Sequence, residues 1–243
     1  MVAGERKSLM KGTKSVETQR LKPELIVMLT HHDQTVPDAL ELFERTKDYP
    51  ITHWGFKDVG IKPEAMKSVV QAMKDASKTT FLEVVSLSEG EGLTGARLAV
   101  DLGFDILMGT VYFPSISEYL KDKPVRYYPF PGRVHSHPSI LDGTIDEIVA
   151  HACELEANGV HGLDLLTYRY NGEASHLLKR VVQATKIPIV SAGSIATFDR
   201  INEVWDSGAW GFTIGSAFFD RQFVPDGSFE ENVLAVCNWL QEQ

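Results

Sequence analysis

Three ionisable residues of this 243-residue chain stand inside runs that otherwise read as buried strands. Lys57 closes "HWGFK" (His53–Lys57), Glu83 lies within "TFLEVVS" (Thr80–Ser86), and Asp164 lies within "HGLDLLT" (His161–Thr167). A charged side chain in such a run cannot rest against covering helices, because burial without a partner costs several kcal/mol. Counting by twos puts Lys57 on one face with His53 and Gly55, leaving Trp54 and Phe56 to meet the helices. Lys57 could then protonate an enediolate, hold a carboxylate or, if neutral, form a Schiff base. A plain surface lysine is the simpler alternative. Glu83 would sit beside Lys57 on the adjacent strand, as an acid–base couple or a structural ion pair. Asp164 follows the same logic, against the alternative of a carboxylate that pins a loop. Arg169, just beyond Asp164, could take a carboxylate or phosphate bidentately, or could be solvated.

A second group is small rather than charged. "IPIVSAGSIATFDRINEVWDSGAWGFTIGSAFF" (187–219) holds two apolar runs, each ending in glycine and serine: Gly193-Ser194 and Gly215-Ser216. Glycine lets backbone N–H groups approach an anion that a Cβ would obstruct, and serine adds a hydroxyl donor. A helix opening after the second pair would add its positive end. Both pairs are therefore expected to bind one phosphate group.

The histidines are less informative. "THHDQ" (30–34) and "RVHSHP" (133–138) suggest a metal, yet adjacent strand histidines point to opposite faces, so at most one of His31 and His32 should enter a pocket. No His-x-x-x-His is present and no cysteine lies nearby, so no metal site and no cofactor are expected. A weakly held magnesium at Glu83 is the one form of cation binding left open. "YYPFPGRVHSHPS" (Tyr127–Ser139) reads as a long lid or specificity loop, or equally as a rigid surface contact. His135 and His137 could do acid–base work from such a lid. His31, Thr110, Arg169 and His135 are read as substrate-binding positions.

These residues need a frame that gathers strand ends. Eight apolar runs recur: 25–30, 53–57, 80–86, 105–110, 125–130, 161–167, 187–193 and 211–217, with amphipathic stretches between them. That repeat predicts a single (β/α)8 TIM barrel, residues 21–243, behind a short N-terminal extension, residues 1–20. "VPDALELFERT" places Pro37 near a first helical turn, and "KPEAMKSVVQAMKDA" spaces Ala65, Met66, Val69, Val70 and Met73 on one face. Gly103, Gly159 and Gly208 are expected to end helices, and Thr144 to begin one. An open doubly wound sheet would carry a glycine-rich turn after its first strand, and "LTHHDQTVPD" has none.

Composition narrows the partners. A net charge of -9 opposes a nucleic-acid or anionic-membrane surface. The two cysteines, Cys153 and Cys237, form no disulfide framework and read as small buried hydrophobes, in keeping with a cytoplasmic setting. The first residues lack the apolar core of a secretory signal, and no run approaches the length of a membrane span. The partner expected is a small phosphorylated substrate, with no nucleic acid and no membrane. Association into a homo-oligomer is left open.

The stretch 188–219 resembles the closing quarter of the ribulose-phosphate-binding barrels, and "EGLTGARLAVDLGFDILMGT" (91–110) is similar to the matching middle stretch of their phosphosugar epimerases. That group includes N-acetylmannosamine-6-phosphate 2-epimerase and the histidine- and tryptophan-biosynthesis barrels. The resemblance implies a phosphorylated sugar held through Gly193, Ser194, Gly215 and Ser216. A lysine ending strand two, as Lys57 does, is also used by several of these relatives. The metal-dependent pentose-phosphate epimerases carry His-x-Asp on strand two where this chain has "FKD". The decarboxylases carry Asp-x-Lys on strand three where it has "LEVVS". Both departures count against those reactions. The leading expectation is an isomerase or epimerase moving a proton next to a carbonyl with Lys57, Glu83 and Asp164. The alternatives are a carbon–carbon lyase or aldolase using Lys57, although related aldolases place their lysine on strand six and "DLLTYRY" has none, or a non-catalytic barrel that binds a phosphometabolite.

Overall fold

Eight short strands run parallel: β1 (Glu24–Met28), β2 (His53–Lys57), β3 (Thr79–Ser86), β4 (Ile106–Val111), β5 (Arg126–Phe130), β6 (Leu163–Leu165), β7 (Ile189–Ser191) and β8 (Gly211–Ile214). They come from a computed structural model that describes residues 22–242, so the expected extension over residues 1–20 lies outside the described residues. The strands pair in the order β6-β7-β8-β1-β2-β3-β4-β5, which wraps into a nearly closed TIM barrel. The seam between β5 and β6 has no ladder among the described residues. It is bridged by the His161 N–H donating to the Tyr127 carbonyl at 3.0 Å and the Tyr127 N–H donating to His161 Nδ1 at 3.2 Å.

Each strand feeds two apolar layers, which is why strict polar alternation is missing from the sequence. Trp54, Phe56, Leu82 and Leu107 face outward into the core shared with the helices. Ile26, Met28, Phe81, Ile106, Met108, Tyr128 and Val190 fill the barrel interior. Gly55 belongs to that interior set. A Cβ there would lie 2.7 Å from Met28 Sδ and 2.8 Å from the Phe81 carbonyl, so its absence admits both neighbours.

The covering helices are α1 (Ala39–Thr46), α2 (Pro63–Asp75), α3 (Glu89–Leu102), α4 (Pro114–Leu120), α5 (Ile145–Ala157), α6 (Ala174–Ala184) and α7 (Phe198–Ser207). A single turn, α8 (Ser216–Phe219), follows β8, and α9 (Phe229–Glu242) ends the described chain. Their limits follow local chemistry. Thr144 accepts the Glu147 N–H while Glu147 returns to the Thr144 N–H, a reciprocal cap for α5. Gly103 and Gly208 close α3 and α7 at φ of 79° each, a left-handed turn that costs other residues more. Two expectations need correction. Asp38, not Pro37, borders α1, so Pro37 precedes the helix, and Ala65 is exposed while Met66, Val69, Val70 and Met73 carry the buried face of α2. Cys237 is buried and Cys153 half-buried.

Two antiparallel hairpins rise from the C-terminal ends of the strands. The first joins Thr30–His31 to Gln34–Thr35 through His32 and Asp33. The second joins Arg133–His135 to Ile140–Asp142. The stretch Tyr127–Ser139 is therefore a barrel strand plus most of a hairpin rather than one long loop. Among the described residues, no helix is long and apolar enough to cross a membrane.

Candidate active site

The C-terminal ends of the strands enclose a cavity of about 400 Å³, lined by both glycine–serine turns and by Lys57, Glu83 and Arg169. Lys57 and Glu83 are register partners across β2 and β3 and both face inward. Their side chains meet at 3.3 Å, Nζ to Oε1. Lys57 is held by the Thr35 hydroxyl, which accepts from the Lys57 N–H at 3.0 Å and donates to the Lys57 carbonyl at 2.7 Å.

Asp33 completes the cluster. The Lys57 ammonium donates to Asp33 Oδ1 at 2.8 Å, and Arg169 Nη2 lies 3.5 Å from the same oxygen. Burial alone would lower the lysine, but Glu83 and Asp33 reverse this and hold it above its usual value, so it is an ammonium. Burial likewise works to raise Asp33, but its hydrogen bond and attraction to Lys57, with Arg169 and His137, hold the carboxyl below the ordinary aspartate value.

Asp33 escaped the sequence reading because "THHDQ" was read as a straight strand end. His32 and Asp33 have φ of 49° and 61°, so the chain reverses there as a left-handed two-residue turn and swings Asp33 over the barrel mouth. The same turn overturns the expectation that the two histidines diverge. The His31 and His32 rings stack with centroids 3.8 Å apart. With Asp220 they form a group whose ligand atoms lie within 4.8 Å, the described residues best placed to share a cation. In this arrangement His31 Nε2 is engaged with Asp220 Oδ1 at 2.9 Å. His31 itself lies outside the cavity lining, while Asp220 is part of it.

Asp164 lies on the inner face of β6, wholly buried, and among the described residues neither carboxylate oxygen has a hydrogen-bond partner. Burial, reinforced by Glu83 and opposed by Lys57 and Arg169, pushes its acid well above the usual range. An unsolvated carboxyl of this kind keeps its proton. It is not part of the cavity wall. Asp58, next to Lys57, is pushed up to about 6 by burial, against its own backbone hydrogen bond and with Glu83 assisting.

The two glycine–serine turns face the same cavity. Among the described residues, the backbone N–H groups of Gly193, Ser194, Gly215, Ser216 and Ala217 have no protein acceptor. The glycines, however, are required by neighbouring protein atoms rather than by open space for an anion. A Cβ on Gly215 would lie 2.6 Å from Thr30 Oγ1 and 2.9 Å from the Thr30 carbonyl. One on Gly193, at φ 81°, would lie 3.0–3.2 Å from Arg169 Cγ, Cδ and Nε. Ser194 is also left-handed, at φ 60°. Arg200, in the first turn of α7, donates to the Ser194 carbonyl and stacks over Tyr168, with Cζ 4.7 Å from the ring centroid. Fastening that carbonyl outside holds the turn with its amides unpaired. Only its place three residues after the helix cap Thr197 could have drawn attention to Arg200 in the sequence.

Two further expectations fail on position. Thr110 is fully buried and shares a 2.6 Å hydrogen bond with the Tyr127 hydroxyl, away from the cavity. His135 is exposed on the second hairpin, where its ring engages Ser136 at 2.7 Å and Asp142 at 2.5 Å. The histidine that reaches the cavity is His137, beside Ser139.

No protein-family model matches the chain, and no curated protein matches it in sequence. Solved structures do share its fold. Orotidine 5′-phosphate decarboxylase from Pyrococcus horikoshii OT3 superposes with a TM-score of 0.67 at 12% identity, covering 89% of this chain and 99% of that one. N-acetylmannosamine-6-phosphate 2-epimerase from Clostridium perfringens gives 0.60 at 13% identity, covering 87% and 93%. The native KDPGal structure gives 0.63 at 13% identity, covering 96% of each chain.

Proposed function

We propose that the chain is an isomerase or epimerase of a phosphorylated sugar or amino sugar, which moves a proton next to a carbonyl. The observation that carries this reading is the presence, in one cavity, of two turns with unpaired amides and an inward-facing Lys57–Glu83 pair. Such amides suit a phosphate, and the phosphate would anchor the sugar so that its carbon skeleton reaches the charged pair. Similarity of fold to an epimerase and a decarboxylase, both named for phosphorylated compounds, supports a barrel that processes phosphosugars.

In this reading Glu83 removes the proton and the Lys57 ammonium supplies one. Asp164, buried beneath them with its proton retained, limits the negative charge that gathers around Glu83. The lyase alternative needs a neutral amine to attack a carbonyl. Lys57 is held as an ammonium by two carboxylates, which favours proton transfer over a Schiff base. The test is a screen of phosphorylated sugars in D₂O, with proton NMR following exchange next to the carbonyl. Exchange with a phosphorylated sugar and none with its dephosphorylated form is the expected result. Binding without exchange would identify a non-catalytic barrel, and trapping of substrate on Lys57 by borohydride would identify the lyase.

A further inference from the structure

Two cations that line the cavity, Arg169 and Arg200, are not used by this scheme. The Arg169 side chain crosses Gly193 in the space a Cβ would fill, and its Nη2 ends 3.5 Å from Asp33 Oδ1. Among the described residues its guanidinium makes no side-chain hydrogen bond. Arg200, which lines the same cavity, is already engaged by the Ser194 carbonyl and the Tyr168 ring. Arg169 thus lines the cavity between the turn at Gly193 and the Lys57 cluster, ion-paired with Asp33 at one end of its guanidinium but without a hydrogen bond from it to any described residue. A ligand anchored at the turn and reaching Glu83 must pass it.

The charges indicate what it meets. Lys57 and Arg169 are positive, Asp33 and Glu83 negative, so these four groups balance among themselves, and Asp58 beside them adds a further carboxylate above about pH 6. A carboxylate at the reacting end would add an uncompensated negative charge beside two others, whereas an uncharged carbonyl would not. When Glu83 takes the proton, the C–H electron pair becomes the new C=C bond and the carbonyl π pair moves onto oxygen. The negative charge that leaves Glu83 arrives on that oxygen, and the cluster stays balanced. A proton from Lys57 or Glu83 then returns to carbon, and the 3.3 Å gap between the two lets them reset without a co-reactant.

We propose that Arg169 is a catalytic electrophile that hydrogen-bonds the carbonyl oxygen as it becomes an enediolate, and that the substrate is a phosphorylated aldehyde or ketone uncharged at its reacting end. This rests on the proton-transfer reading above and names the substrate class it requires.

The test compares three probes on the full chain by calorimetry: inorganic phosphate, phosphoglycolohydroxamate as an enediolate mimic, and phosphoglycolate, which carries a carboxylate. The hydroxamate is expected to bind more tightly than either other probe. Arg169→Met should weaken it by about a hundredfold, as loss of a preorganised donor to a developing oxyanion does, while phosphate affinity stays within about threefold. Arg169→Lys should recover part of the loss, and the melting curve of each variant reports whether it is folded. A parallel loss of hydroxamate and phosphate would make Arg169 a phosphate ligand and overturn the proposal, as would a hydroxamate affinity unchanged in Arg169→Met or tighter binding of phosphoglycolate. Failure of all three probes to bind the unaltered protein would instead overturn the phosphate reading, and this proposal with it.

Discussion

Lys57 Nζ and Glu83 Oε1 stand 3.3 Å apart because their residues are direct register partners on neighbouring parallel strands, both turned into the barrel. Strand pairing, rather than a flexible loop, sets that distance. A site on rigid elements keeps its geometry through the reaction.

Replacing Lys57 with Met should lower proton exchange by about 10²–10⁴-fold, the usual contribution of a positioned acid. It should also strand Glu83 without its cation and leave Asp33 with Arg169 alone, at a cost of about 3–5 kcal/mol near pH 7. Asp33 has a depressed value in the folded protein, so the stability it contributes is present above its ordinary range and fades as pH falls through the folded value. The deficit of the variant should therefore shrink in acid. Urea melts of both proteins at pH 7 and at about pH 2, below the ordinary aspartate value, measure this, and an equal deficit at both would show that the ion pairs contribute little.

Asp58 acts in the opposite sense. Its folded value near 6 lies above the ordinary 3.8, so the folded state binds the proton more tightly and stability falls as pH rises between those values. Asp58→Asn should stabilise the protein above pH 6 by about 1–3 kcal/mol and leave it unchanged below pH 4. Denaturation midpoints across that range decide it, and a gain that does not vary with pH would point to packing instead.

The unpaired amide of Ser216 can be removed separately from its hydroxyl. Proline is tolerated at the first position of a helical turn, and among the described residues this N–H has no acceptor to lose. Phosphate should raise the melting temperature of the unaltered chain by mass action. Ser216→Ala should keep most of that rise, and Ser216→Pro should lose most of it. A rise preserved in Ser216→Pro would move the anion elsewhere.

Gly55→Ala tests the barrel interior. Its methyl would meet the Phe81 carbonyl at 2.8 Å and Met28 Sδ at 2.7 Å, and only the thioether can move aside. Overpacking of this kind should cost about 1–3 kcal/mol, read as a lower midpoint in urea.

The pattern of the sequence carried the barrel, the inward pairing of Lys57 with Glu83, and the meeting of the two glycine–serine turns. Each depends on strand periodicity or on repeat order, which are local or regular properties. What it hid depends on tertiary geometry. Asp33 enters the site only because two non-glycine residues adopt a left-handed turn, which no composition rule flags. Thr110 ends a strand as a ligand-binding residue would, yet Tyr127 from the next strand takes its hydroxyl. Nor could the sequence show that Arg169 and Thr30 occupy the space left by the missing side chains of Gly193 and Gly215.

Among the described residues, seven of the eight junctions between strands are stitched by backbone ladders, and the eighth is hydrogen-bonded only through His161. A hoop cut at one point springs there first. The strand leading to Arg169 forms one lip of the cut, whereas Lys57 and Glu83 are sewn in on both flanks. Local opening of the barrel is therefore expected first on the arginine side, while the opposite wall keeps its shape.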